Sequence, residues 1–280
     1  MEALKGAAVS AAIKEQVQNR LAELDGYIPT LAIIRVGEKP DDISYEKGAM
    51  KKMASFGLNV QSYTFPEDIS DALFKEEFAK INADKAIDGI LMLRPLPKHI
   101  CEKDIEKMID PAKDLDGISP ENIAKVFAGD STGFAPCTAE AVIEVLKAYN
   151  IPMQGKRVTV VGRSMVVGKP LSMLFVKENA TVTICHTRTA DLKAECSRAE
   201  ILVAAAGRAR MIDGAYAGKD AVVIDVGINV DDNGRLCGDV DYDSLEGIAS
   251  MATPVPGGVG AVTTAVLAKH LVQAAARARG

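Results

Sequence analysis

The stretch RVTVVGRSMVVGKP (157–170) decides how this chain folds. Its first residues form a short apolar run ending at Gly162, which reads as a buried strand. Gly168-Lys169-Pro170 then opens a segment of helical length. A glycine-bearing turn between a strand and a helix start is where a dinucleotide-binding sheet receives pyrophosphate. Glycines let the backbone come close, and the helix N-terminus offers free N–H groups and a positive dipole end. The spacing is G-x-S-x-x-x-G rather than G-x-G-x-x-G, so the bare pattern also fits a strand-to-helix turn with no ligand.

The neighbouring segments favour the first reading. TVTIC (181–185), EILVAAA (200–206) and AVVIDV (221–226) are further apolar runs separated by segments of helical length. They recur at intervals of about 20 residues, the rhythm of a doubly wound nucleotide-binding sheet. Upstream, LAIIRV (31–36), LNVQSYTF (58–65) and GILML (89–93) read as strands, with helices predicted over about 42–55 and 70–83 between them. Val9, Ile13, Val17 and Leu21 mark one face of an earlier helix, and an Ala-rich helix closes the chain from about Val262. A less regular stretch over 110–137, carrying Pro111, Pro120, Gly129, Gly133 and Pro136, separates the two alternating halves. The pattern predicts an α/β protein with largely parallel sheets and helices on their faces.

Composition narrows the class. At 280 residues the chain can hold two domains, and a hydrophobic fraction of 48% beside 25% charged residues predicts packed cores rather than disorder. The net charge of −5, with both signs interspersed, argues against a nucleic-acid surface or attachment to anionic membranes. The N-terminus lacks an uninterrupted apolar core of the secretory kind, and no run approaches the length of a membrane span. Five scattered cysteines with no C-x-x-C pair, and three distant histidines, predict reduced thiols, no local metal site and a cytoplasmic location.

The end of the second strand bears on the cofactor. An NAD site usually places an acid there to bind the ribose hydroxyls. Here Cys185-His186-Thr187-Arg188-Thr189 follows, with no acid until Asp191. Two hydroxyls and a guanidinium suit a 2′-phosphate, as does Arg163 in the first turn, so NADP is favoured over NAD. The plainer alternatives are a solvated charge at Arg188 and a strand-end histidine at His186.

With these features in view, the whole chain resembles the methylenetetrahydrofolate dehydrogenase/cyclohydrolase (FolD-type) family. Val36-Gly37-Glu38 followed by Ser44-Tyr45, and Asp88-Gly89-Ile90-Leu91 leading to Pro95-Leu96-Pro97, are similar to its first signatures. Lys113-Asp114-Leu115-Asp116-Gly117 matches its K-D-V-D-G. Pro136-Cys137-Thr138, Gly162-Arg163-Ser164, Asp225-Val226-Gly227-Ile228-Asn229, Gly238-Asp239-Val240 and TPVPGGVG (253–260) follow in order. The resemblance implies a mainly parallel α/β folate domain over 1–137 and 262–280, reached again by the C-terminal helix. It implies a Rossmann-like NADP-binding domain over 138–261. It further implies a homodimer acting in one-carbon metabolism on tetrahydrofolate derivatives.

It also assigns residues. Tyr45 and Asp116 fall on the catalytic and substrate-binding positions, Asp116 as the carboxylate that accepts from the pterin's 2-amino and N3–H pair. Pro256, Gly257 and Gly258 fall on the substrate segment, where missing side chains admit ligand rings. Gly162, Arg163, Ser164, Gly168, His186, Thr187, Arg188, Gly207 and Ile228 fall on cofactor positions. Read without the family, Asp116 would cap the turn before Gly117 and Tyr45 would be a half-buried core tyrosine.

Two departures concern one activity. Hydride loss from the one-carbon bridge is driven by the substrate nitrogen's lone pair and needs positioning rather than a strong base. Ring opening of the methenyl product by water does need proton transfer. For that step the family uses a lysine four residues after the tyrosine and a glutamine before P-L-P; here these are Ala49 and Leu93. On a helix, Lys47 points roughly 200° from Tyr45, and Lys52 lies about 10 Å along the axis. Arg94, as the strand neighbour of Leu93, is predicted to point to the opposite face. Met165 and Ala261 are smaller departures that remove no evident chemical group. The expectation is a dehydrogenase whose cyclohydrolase activity is weak, absent or run by other residues. The alternatives weighed are the full bifunctional enzyme, another two-domain NADP dehydrogenase of the shikimate type, and a non-catalytic folate- or nucleotide-binding protein.

Overall fold

The computed structural model describes residues 1–231 and 233–279, so residue 280 of the expected C-terminal span lies outside the described residues. The chain begins with β1 (Glu2–Ala3), α1 (Gly6–Ala22), β2 (Thr30–Val36), α2 (Pro40–Phe56), β3 (Asn59–Phe65), α3 (Asp71–Ala83) and β4 (Gly89–Met92). It continues through α4 (Glu102–Met108), α5 (Pro120–Ala128), α6 (Cys137–Ala148), β5 (Arg157–Val161), α7 (Gly168–Lys177), β6 (Thr181–Cys185), α8 (Leu192–Ser197) and β7 (Ile201–Ala204). β8 (Val222–Asp225), β9 (Asn229–Val230), β10 (Leu236–Cys237), β11 (Met251–Ala252) and α9 (Gly260–Arg279) complete it.

Two compact units result. One comprises Met1–Ala12 and Pro136–Thr263, the other Ile13–Ala135 and Thr264–Gly280. Residues 1–12, expected with the folate domain, make their contacts within the first of these units. β1 pairs in parallel with β11 in the nucleotide-type sheet, and the Leu4 amide donates to the Ala252 carbonyl at 2.8 Å. The N-terminal ammonium meets Glu246 of the same unit at 3.0 Å.

The first unit is built on a sheet ordered β1-β11-β8-β7-β5-β6. Its paired strands run parallel, from Val158 opposite Ile201 on one side to Arg157 opposite Thr181 on the other. β7 and β8 are buried along their whole length, which is why they read as unbroken apolar runs. Leu202, Val223, Cys196, Ile212 and Leu245 belong to the core on one side of this sheet.

The second unit has a parallel three-stranded sheet ordered β3-β2-β4, with β2 central and fully in register with β3. Phe74 and Phe78 of α3 pack with Ile34, Ile90 and Ile105 in its core. Burying side chains of this size contributes roughly 1.5–3 kcal/mol each, and that drives the layer together. α3 starts where the Ser70 hydroxyl accepts from the Leu73 amide, and α2 stops at Gly57, whose φ of 81° a residue with a side chain rarely adopts.

α2 is fixed to this sheet by a buried ion pair. Arg35 Nε donates to Glu46 Oε2 at 2.7 Å, and the Ser62 hydroxyl donates to the other oxygen. Burial alone would raise the Glu46 carboxyl, but the hydrogen bonds from Ser62 and Arg35, with the Arg35 charge, hold it below its ordinary value. Removing one partner of such a pair strands the other. Arg35→Met is expected to lower the unfolding free energy by about 3 kcal/mol in urea titrations. The double variant Arg35→Met/Glu46→Leu should recover most of that loss. A single variant as stable as the parent would show that the pair does not hold α2.

Candidate active site

The turn between β5 and α7 has the geometry its sequence implies. β5 ends at Val161, and the following Gly162 takes φ 131°. A Cβ on Gly162 would stand 2.1 Å from the Ala205 carbonyl oxygen, and one on Gly168 2.1 Å from the Gly162 carbonyl oxygen. Both positions exclude side chains because the backbone folds onto itself and onto the segment after β7. The Ser164 hydroxyl accepts from the amides of Val167 at 3.1 Å and Gly168 at 3.4 Å, closing the first turn into α7.

Against this turn lies a cavity of about 500 Å³, whose lining includes Gly162, Arg163, Ser164, His186, Thr187 and Arg208. Five of these six were marked by the sequence. Arg208 was missed; its signal was a cation directly after Gly207 at the end of the third apolar run. The 186–189 turn is organised by its own groups. The His186 amide donates to Thr189 Oγ1 at 2.8 Å, and the Arg188 amide donates to His186 Nδ1 at 3.1 Å. Arg188 is exposed and outside the lining of this cavity, and Ile228 is 67% exposed. Gly162, the guanidinium groups of Arg163 and Arg208, and the hydroxyls of Ser164 and Thr187 form a lining that fits a phosphorylated dinucleotide.

Two buried carboxylates hold the surrounding loops. Asp239 accepts from the amides of Ala206 at 2.5 Å, Gly207 at 2.9 Å and Arg208 at 2.8 Å, and from Asn229 Nδ2 at 2.9 Å. Asp225 accepts from the amides of Gly227, Asp239 and Val240 at 2.9–3.0 Å. A Cβ at Gly238 would stand 1.8 Å from Asp225 Oδ2, so the carboxylate occupies the space of a missing side chain. The Asp225 amide donates to Thr253 Oγ1 at 2.7 Å, tying in the segment that carries Pro256, Gly257 and Gly258. Gly257 has φ 100° and its carbonyl accepts from the Gly6 amide at 2.8 Å, while a Cβ at Gly258 would meet the Pro254 carbonyl at 2.5 Å.

In the second unit, α2 presents Tyr45 at 41% exposure, and Ala49 one turn on is 1% exposed. Leu93, just after β4, is buried too. Arg94 is turned to α4, where Nη1 meets Glu102 at 3.4 Å and Glu106 at 3.5 Å. Lys47 is exposed, and the Lys52 ammonium stands 5.6 Å from the Phe56 ring centroid. Asp116 is half-buried on the loop before α5. The cap of that loop is Asp114, whose carboxylate accepts from the Ile118 amide at 3.0 Å and the Ser119 amide at 2.8 Å.

Fold and turn together define a two-unit α/β protein of the dinucleotide-binding class. Comparison with known proteins specifies it further. A family model described as the tetrahydrofolate dehydrogenase/cyclohydrolase catalytic domain matches residues 4–116, and the NAD(P)-binding domain of the same family matches 136–279. The bifunctional protein FolD of Clostridium kluyveri is 52% identical over 97% of this chain and 96% of its own. The FolD methylenetetrahydrofolate dehydrogenase/cyclohydrolase structure from Campylobacter jejuni superposes with a TM-score of 0.96 at 35% identity, covering 99% of both chains. That of the Trypanosoma brucei dehydrogenase-cyclohydrolase, solved with NADP cofactor and inhibitor, gives 0.92 at 32% identity, covering 99% of this chain and 98% of its own. The chain belongs to the tetrahydrofolate dehydrogenase/cyclohydrolase family.

The Asp225 clasp has a measurable electrostatic signature. Burial pushes its carboxyl up to about 6, against the pull of its three backbone donors, and the neighbouring Asp239 charge adds to the rise. The native state therefore holds a proton that the unfolded chain has lost above about 4. The stabilisation from this group is complete below that value and is lost as pH rises through about 6. Carboxyl carbon NMR is expected to give Asp225 a midpoint near 6, with the Asp239 and Val240 amides shifting in step. A midpoint near 3.8 would contradict the burial argument.

Proposed function

We propose that this chain oxidises 5,10-methylenetetrahydrofolate to 5,10-methenyltetrahydrofolate with NADP⁺, and that its cyclohydrolase activity is weak. The reading is supported above all by family motifs that run from Val36-Gly37-Glu38 to TPVPGGVG (253–260) with the nucleotide turn intact, while both proton-handling positions are apolar. Bound NADP⁺ supplies the ring that accepts a hydride. Gly162, Ser164 and Gly168 admit its pyrophosphate to the start of α7, with His186, Thr187, Gly207 and Ile228 flanking it. Arg163 and Arg188 attract the 2′-phosphate, and Arg208 adds a third cation.

On the folate side, Asp116 accepts from the pterin's paired donors and Tyr45 flanks the rings. These roles amount to orientation, which is sufficient for a step driven by the substrate nitrogen. Ring opening differs, because a water must lose a proton while the amidinium carbon is attacked. Ala49 and Leu93 offer no such group. Arg94 is committed to Glu102 and Glu106, and Lys52 to the Phe56 ring. The expected cytoplasmic location and homodimeric state belong to the same proposal; light scattering reads the latter.

Both half-reactions measured on one preparation test it. NADP⁺ reduction with methylenetetrahydrofolate should be enzyme-dependent and faster than with NAD⁺. The absorbance of added methenyltetrahydrofolate should decay little faster than in buffer, and Ala49→Lys should speed that decay by about tenfold or more, a positioned acid–base group being worth about 10²–10⁴ in full. No NADP⁺ reduction would leave a binding protein. Methenyl decay as fast as hydride transfer in the parent would restore the bifunctional reading.

A further inference from the structure

Three polar side chains of the second unit are almost wholly withdrawn from water and all serve one short loop. Asp114 is 0%, Asn122 1% and His270 1% exposed. Asp114 caps the Ile118 and Ser119 amides. Asn122 Nδ2 donates to Asp114 Oδ2 at 2.9 Å and to the Pro111 carbonyl at 2.9 Å, and its own oxygen accepts from the Phe134 amide at 3.2 Å. From the other direction, His270 of α9 places Nδ1 2.8 Å from the carbonyl oxygen of Leu115, 155 residues away in sequence. A carbonyl oxygen can only accept, so Nδ1 carries the proton and donates.

The imidazole cannot turn away from this bond freely. The Phe134 ring lies 5.1 Å from it between centroids, and the Arg277 guanidinium backs Phe134 at 4.8 Å. Leu115 is seated as well, because its side chain fills the space a Cβ on Gly89 would occupy, 2.2 Å from Leu115 Cδ1. The residue after Leu115 is Asp116, and Gly117 then turns away with φ 62°. Burying three polar groups is costly unless each is satisfied, and here each is satisfied within or beside this loop.

We propose that His270 is a positioning residue for the folate reaction: its Nδ1–H fixes the Leu115 carbonyl and thereby the backbone from which the Asp116 carboxylate meets the pterin. This rests on the assignment of Asp116 to the pterin. The chemistry required at 270 is one N–H donor at the distance of Nδ1. An asparagine amide supplies a donor near that place, a glutamine amide reaches instead to about the place of Nε2, and leucine supplies none.

The test is steady-state kinetics on His270→Asn, His270→Gln, His270→Leu and Asp116→Ala, with NADP⁺ binding followed by fluorescence. His270→Gln and His270→Leu are expected to raise KM for methylenetetrahydrofolate by about tenfold, a modest fraction of what misplacement by ~1 Å can cost. NADP⁺ affinity should stay within about twofold, and His270→Asn should remain near the parent. If Asp116→Ala weakens folate use while the glutamine and leucine variants match the parent, the role of His270 is overturned and the role of Asp116 stands. If Asp116→Ala leaves folate KM unchanged, the site assignment fails and this inference with it. If every His270 variant loses NADP⁺ binding and folate use in equal measure, the histidine serves stability alone and the proposal falls.

Discussion

Buried carboxylates that accept from backbone amides are the constraint on which the ligand-bearing parts of this protein depend. The C-terminal ends of parallel strands release the chain into loops, where neither ladder nor helix satisfies the peptide groups. Asp225 and Asp239 supply the missing acceptors after β8 and β7, and Asp114 does so in the loop between α4 and α5. Taking a carboxylate out of water is expensive, and several charge-assisted hydrogen bonds to each one offset part of that cost. The result is loops whose conformation is set nearly as firmly as the sheets they leave. Glycines at 227 and 238 are required because the carboxylates fill the space their side chains would need.

The central strands of both sheets were legible because a strand buried on both faces must be apolar throughout. LAIIRV and RVTVV could hardly be anything else. What escaped was local or very short. The stretch 110–137 read as irregular, yet it contains α5. Ser119 caps that helix by accepting from the Asn122 amide, Pro120 sits in its first turn, and Gly129 ends it at φ 72°. These are helix boundary signals, and spaced only nine residues apart they read as breakers. β1 and β11 have two residues each, too few to show a period, so the place of residues 1–12 in the first unit could not be read from pattern.

The site was legible to a similar depth. Gly162, Arg163, Ser164, His186 and Thr187 meet at one cavity because strand order brings the ends of β5 and β6 together, and the sequence carried that order. Which of the two acids caps the loop could not be read, since Asp114 and Asp116 have the same chemistry two residues apart. Packing decides it: Asp114 is wholly buried and turned toward Asn122, whereas Asp116 is half-buried. Ala49 and Leu93 gain meaning from burial as well. Both side chains are buried, so apolar residues suit the packing at those two places.

Amide hydrogen exchange bears most directly on the claim that buried carboxylates fix these loops. The amides of Ile118, Ser119, Gly207 and Val240 lie outside every helix and strand, and each donates to Asp114, Asp239 or Asp225. The account predicts protection within about tenfold of the strand amides in the same unit, β2 for the first two and β7 for the others, because they open only when the unit does. Exchange at the rate of exposed turn amides would contradict it.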